Sequence, residues 1–156
     1  MKYRAYGSNL SEDQMKWRCP QCKLIETGWL NDWRLMFKGE LPYSYATVEE
    51  WEGYKVPVAI YEITAADERR LDRYEGYPKH YKKLEVEVET AAGKVKGLMY
   101  VKPEEERLNP PDSHYYAAIY LAYEQLGFDV GILESALKFS DSLSAKNCVL
   151  PFERSQ

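Results

Sequence analysis

The sequence predicts an α+β fold on a mixed or antiparallel sheet that can close on itself. Three observations carry this expectation. β-type stretches succeed one another in hairpin-compatible order, helices are inserted between them or appended after them, and no regular βαβ alternation occurs. At 156 residues the chain has the size of one domain. Apolar residues make up 45% of it, fourteen Tyr and four Trp among them, enough to fill one core despite 29% charged residues. No repeat, low-complexity tract or linker-like shift breaks it, so residues 1–156 read as a single domain.

Lys2 to Tyr6 reads as a short strand, followed by the loop Gly7-Ser8-Asn9-Leu10 and a short helix over Ser11 to Arg18. Ser11 suits an N-cap, Glu12 and Asp13 suit the first turn, and Pro20 ends the segment. Leu24 to Ile25, Leu30, Trp33 to Phe37, Tyr45 to Val48 and Val56 to Ile63 are separate β-type stretches rich in Val, Ile and aromatics. Thr64-Ala65-Ala66-Asp67 has a capping pattern and opens a helix to about Tyr74, with Gly76 and Pro78 as its stop. Leu71 and Tyr74 share one side of it, and Asp72 reads as a solvated position. Tyr81 to Thr90 and Lys94 to Lys102 flank Ala91-Ala92-Gly93 as a hairpin. Glu104 to Arg107 reads as a solvated loop. Tyr116, Ile119, Tyr120, Tyr123 and Leu126 recur at helical spacing up to Gly127, which makes Tyr120 and Tyr123 core residues. A last helix is expected from Asp129 to about Leu143.

The net charge of −4 comes from interspersed acids and bases, with no contiguous basic surface for a nucleic acid. No run approaches the ~18 apolar residues of a membrane span, and Met1 to Gly7 is unlike a signal peptide. Three cysteines, an odd number, fit a reducing compartment better than a disulfide framework. A cytoplasmic location is the resulting expectation.

Two places could carry chemistry. The loop Tyr6-Gly7-Ser8-Asn9-Leu10-Ser11 joins a strand to a helix start, where backbone N–H groups can receive a carboxylate or a developing oxyanion. Gly7 would supply a positive φ or a close approach, and Ser8 and Asn9 further hydrogen bonds. An ordinary tight turn has the same composition. Glu75 falls in the last turn of its helix, where the dipole favours a protonated carboxyl, and Tyr74, Tyr77 and Tyr81 could desolvate it further. Both effects favour a proton shuttle near neutral pH, whereas a solvated terminal Glu is the plain alternative.

Cys19-Pro20-Gln21-Cys22 has redox or metal spacing. The remaining Cys148, His80 and His114 form no second pair for zinc, and the motif follows a short helix instead of opening a long one. An inert, reduced pair is the better reading. Asp141, Ser142, Ser144 and the histidines make no nucleophile, base and orienter set.

Tyr3 to Leu10, Met15 to Pro20, Lys23-Leu24-Ile25, Val56 to Tyr61, Leu71 to Tyr77 and Pro110 to Tyr116 together resemble the γ-glutamylcyclotransferase superfamily, its avirulence-induced-like branch included. The blocks stand in the family's order over residues 3 to 137. The resemblance implies a small mixed, largely closed β-barrel with flanking helices, a substrate loop over Tyr6 to Ser11, Glu75 as the acid/base residue, and Tyr81 and Tyr115 as substrate contacts. It also implies cofactor-free release of 5-oxoproline from a small γ-glutamyl substrate. A non-catalytic γ-glutamyl-binding protein of the same fold and a thiol module using Cys19 and Cys22 remain as alternatives.

Overall fold

The computed structural model describes residues 1–149, with side chains described through residue 142, so Ser144 and Cys148 lie outside the described side chains. Five strands form a closed barrel in the order β1-β3-β2-β4-β5. They are β1 (Lys2–Ala5), β2 (Lys23–Lys38), β3 (Tyr45–Glu62), β4 (Lys82–Thr90) and β5 (Gly93–Val101). All neighbouring pairs are antiparallel except β1 with β5, where Tyr3 meets Leu98 in a parallel pairing that closes the barrel. The helices are α1 (Glu12–Arg18), α2 (Ala65–Glu75), α3 (Ser113–Leu126) and α4 (Val130–Val149), and a 3-10 turn spans Ser8–Leu10.

The β-stretches expected as separate pieces are two long strands of 16 and 18 residues. Turn-prone residues between those pieces are absorbed as irregularities. The register shifts between Asn31 and Trp33, where Asp32 takes φ 64° and its Oδ1 accepts a 3.1 Å bond from Gly53 N. A bulge bends a strand without ending it. In β3 every residue from Val56 to Tyr61 is buried, on both faces of the pleat. Burial on both faces is expected of a strand that reads as a continuous apolar run.

Inside the barrel the Arg4 side chain is fully buried. Its Nη2 donates to the Val95 carbonyl at 2.5 Å, while Nε and Nη1 have no hydrogen-bond partner among the described residues. Room for it comes from Gly97, where a Cβ would lie 2.1 Å from Nη1.

Helix α2 starts and stops as its sequence dictates. Thr64 and Asp67 form a reciprocal capping box, and Gly76 at φ 67° closes the C-terminus by donating to Arg73 and Asp72 carbonyls. Leu71 anchors the helix in the core, and Tyr123 is likewise core, packed edge-on to Phe128. The loop from Gly39 to Ser44, which joins β2 to β3, is stitched to the β5–α3 connection. Gly39 N donates to Arg107 O at 2.9 Å, Asn109 Nδ2 to Gly39 O at 2.7 Å, and Ser44 Oγ to Asn109 O at 2.6 Å. Gly39 has φ 139°, and a side chain there would meet the Tyr43 carbonyl at 2.2 Å, so only glycine fits.

Candidate active site

The end of α2, the Gly7 turn and the two stitched loops surround a cavity of about 710 Å³. Glu75 lines it from the last turn of α2. It is half-buried, and burial pushes its carboxyl up to about 7, with the Arg18 and Lys102 cations pulling partly the other way. At that value the group exchanges a proton near neutrality, as a general acid or base requires.

Tyrosines make up much of the remaining wall. Tyr81 OH donates to the Ala46 carbonyl at 3.1 Å, and Tyr115 OH accepts from Ala46 N at 3.0 Å. Tyr6 OH donates to the Tyr100 carbonyl at 2.6 Å. Burial, and next the Glu75 charge, push the Tyr3 and Tyr6 hydroxyls well above their ordinary value. Tyr115 is raised by burial as well, so its phenol keeps its proton. Because Tyr115 already accepts from Ala46, that proton is the one left for a ligand.

Of the expected loop residues, Tyr6, Gly7, Ser8 and Asn9 line the cavity and Leu10 and Ser11 do not. Leu10 is 1% exposed and belongs to the core, because apolar burial outweighs its nearness to the turn. The Ser11 hydroxyl is used as the α1 N-cap, accepting from Gln14 N. The Asn9 side chain is also turned away from any ligand, since its Nδ2 donates to Tyr3 OH at 2.9 Å and its Oδ1 accepts from Arg18. The amides of Ser8 and Asn9 donate no backbone hydrogen bond among the described residues. Gly7 has φ −117°, so close approach is its use: a Cβ would lie 3.2 Å from Ala46 Cβ and 3.5 Å from Tyr115 OH. Gly7→Val is therefore expected to raise KM at least about tenfold, with much less effect on melting temperature; equal losses in both would assign Gly7 to an ordinary turn.

Sequence reasoning missed four participants. Arg18 stands 3.7 Å from the Tyr74 ring centroid, held there by Asn9. Tyr45 packs edge-on to Tyr115 at 5.2 Å. Lys102 and Glu106 pair on the cavity wall at 2.9 Å. Hence the segment Glu104 to Arg107 is not merely a solvated loop: its carbonyls also hold Lys38 and Gly39. The signal for Lys102 was its place directly after the apolar run Leu98 to Val101, which places a cation at the buried end of a strand. Asp72 also differs from expectation, because it accepts a 2.5 Å bond from Tyr100 OH and pairs with Lys83 at 2.9 Å.

Cys19 and Cys22 are both buried free thiols. Burial, then the Asp67 charge, pushes Cys19 up to about 12, and Cys22 is raised for the same reasons. Thiols so placed are poor nucleophiles and poor ligands. Among the described residues no cluster of three or more potential metal ligands occurs, and no helix is long and apolar enough to cross a membrane.

The described residues thus form a closed five-stranded barrel whose flanking helix α2 presents the Glu75 carboxyl to a tyrosine-walled cavity. Residues 3–118 match the family model described as gamma-glutamyl cyclotransferase, AIG2-like, and the chain belongs to that family. A solved gamma-glutamyl cyclotransferase is similar at TM-score 0.79 and 23% identity, over 87% of this chain and 85% of its own. A human protein solved as uncharacterised gives TM-score 0.78 and 24% identity, over 86% and 85%. YkqA from Bacillus subtilis gives 0.75 and 21%, over 90% of this chain but 54% of its own. At these identities the likeness speaks to the fold, and the mixed barrel with flanking helices is the fold they share. No curated protein matches the chain.

Proposed function

We propose that this chain cyclises a γ-glutamyl amine or γ-glutamyl amino acid, releasing 5-oxoproline and a free amine, with Glu75 as the proton carrier. The observation that carries the reading is the Glu75 carboxyl, drawn up to about 7 by burial at the edge of the cavity. Family membership supplies the reaction class.

The substrate's α-amine attacks its own γ-carbonyl. A ring C–N bond forms, the original amide C–N bond breaks, and two of the three α-ammonium protons pass to the departing nitrogen, so that the α-nitrogen ends as the lactam N–H and the amine leaves as an ammonium. Ionised Glu75 takes one proton to free the attacking amine and returns it to the leaving nitrogen. The second, shed by the α-nitrogen once the ring bond has formed, follows through the same carboxyl, so the residue ends as it began. Folding the chain into a five-membered ring in a shaped cavity removes much of the entropic barrier. The Ser8 and Asn9 amides offer donors to the oxyanion or the α-carboxylate, and Tyr115 and Tyr81 pack the glutamyl chain. The reaction as written consumes no cofactor.

The test is incubation with a panel of γ-glutamyl amino acids and γ-glutamylamines, with mass detection of 5-oxoproline. Release from at least one member is expected. Binding without release across the panel would reassign the cavity to ligand capture.

A further inference from the structure

Lys102 takes no part in the proton transfers above, yet it faces the cavity with a side chain only 6% exposed. Its Nζ donates to the Lys38 carbonyl at 2.6 Å and pairs with Glu106 at 2.9 Å. The Tyr45 and Tyr81 ring centroids lie 5.4 and 5.8 Å away. An ammonium has three N–H donors, and these two polar partners leave one without an acceptor among the described residues. Burying a cation this far is costly. A tie between β5 and the Lys38 carbonyl alone would need only a neutral donor.

Its place in the cavity says what the charge would meet. Tyr115 reaches the Gly7 turn, Tyr45 packs on Tyr115, and the Lys102 Nζ lies 5.4 Å from the Tyr45 ring centroid, beside the half-buried Glu106 and close enough to Glu75 for its charge to act there. A glutamyl head held at the Gly7 turn and Glu75 would therefore extend its departing portion toward Lys102. The geometry points to Lys102 as the residue that selects the leaving amine, by binding a carboxylate carried on it, with Glu106 as the resident counter-charge. This inference rests on the cyclotransferase reading. Of the other cavity acids, Glu75 also feels the Lys102 charge but is assigned to the proton transfers, and Glu40 is exposed to solvent. Lys102 is anchored twice, so its attraction for an anion is preorganised and less screened.

A matched pair of substrates isolates the carboxylate, since γ-glutamylethylamine is γ-glutamylalanine without it. The wild-type protein is expected to favour γ-glutamylalanine in kcat/KM by about 10- to 100-fold, the usual range for a charge-assisted hydrogen bond. Lys102→Met should bring the ratio to within about threefold of unity, and Lys102→Arg should keep most of it. Glu106→Gln removes the nearest competing anion and should raise the ratio. If Lys102→Met does not fold, Glu106→Gln decides, because an unchanged or lower ratio there overturns the inference. A wild-type protein that turns over both substrates equally overturns it too and leaves the cyclotransferase reading standing. No 5-oxoproline from either substrate, or from the wider panel, overturns both.

Discussion

Glu75→Gln is expected to lower kcat by about 10²- to 10⁴-fold on a confirmed substrate, the usual worth of general acid–base catalysis. Gln keeps the size and hydrogen-bonding shape of the side chain and cannot carry the proton. Affinity for 5-oxoproline should change far less. The pH dependence supplies a second readout. The base must be ionised, so wild-type kcat/KM should rise with pH through an acid limb near 7, the value to which burial draws this carboxyl. Stability follows the opposite course. A carboxyl whose folded pKa lies above its unfolded value contributes stability that is fully present below the unfolded pKa and is lost as pH rises through about 7. Gln does not ionise, so Glu75→Gln should gain in melting temperature relative to wild type between pH 6 and about pH 8.5. Asp72 is unsuitable as a neutral control, because its bonds to Tyr100 and Lys83 would be lost as well. Glu124→Gln, on the exposed face of α3, serves instead. Near-normal turnover in Glu75→Gln would end the proton-carrier assignment.

Gly97→Ala should give the largest loss of stability, about 3 kcal/mol, the upper part of the usual range for overpacking a core. The added methyl would sit 2.1 Å from Arg4 Nη1, 2.5 Å from Arg4 Cζ and 2.5 Å from the Lys2 carbonyl oxygen. Two of these contacts belong to a fully buried guanidinium and the third to backbone, so no rotamer change relieves them all. A fall in melting temperature of roughly 6 to 12 °C is the expected reading for a chain of this size. A fall under about 2 °C would mean that the guanidinium moves out of the barrel more easily than its burial implies.

What the sequence revealed and what it hid divide along physical lines. Local chemistry was legible. Thr64, Asp67 and Gly76 mark the ends of α2, Ser11 caps α1, and Thr90 to Gly93 turns the β4–β5 hairpin, because each signal acts within a few residues. Glu75 was legible for the same reason, as an acid at a helix C-terminus among tyrosines. The continuity of β2 and β3 was hidden, because Asp32 and Gly53 announce a turn and the ladder passes through them as a bulge. That the sheet could close followed from the succession of strands, but the pairing that closes it was hidden, since the β1–β5 contact is parallel and distant in sequence. Lys102 and Asp72 were hidden because their partners lie on other elements; a charged residue read by itself defaults to solvent.

β1 is a strand of only four residues, pairing with β3 on one side and β5 on the other. It leads directly into the Tyr6–Asn9 turn, and Tyr6 is itself bonded to the β5 residue Tyr100. During synthesis β1 emerges before either neighbour and must wait for the hairpin that will complete it. Contacts of such long sequence separation form late in folding. The turn acquires its position at that same late moment, so the candidate site and the last stave of the barrel fall into place together. A lesion that delays closure would therefore be felt first as missing activity, in molecules whose helices and long hairpin have already formed.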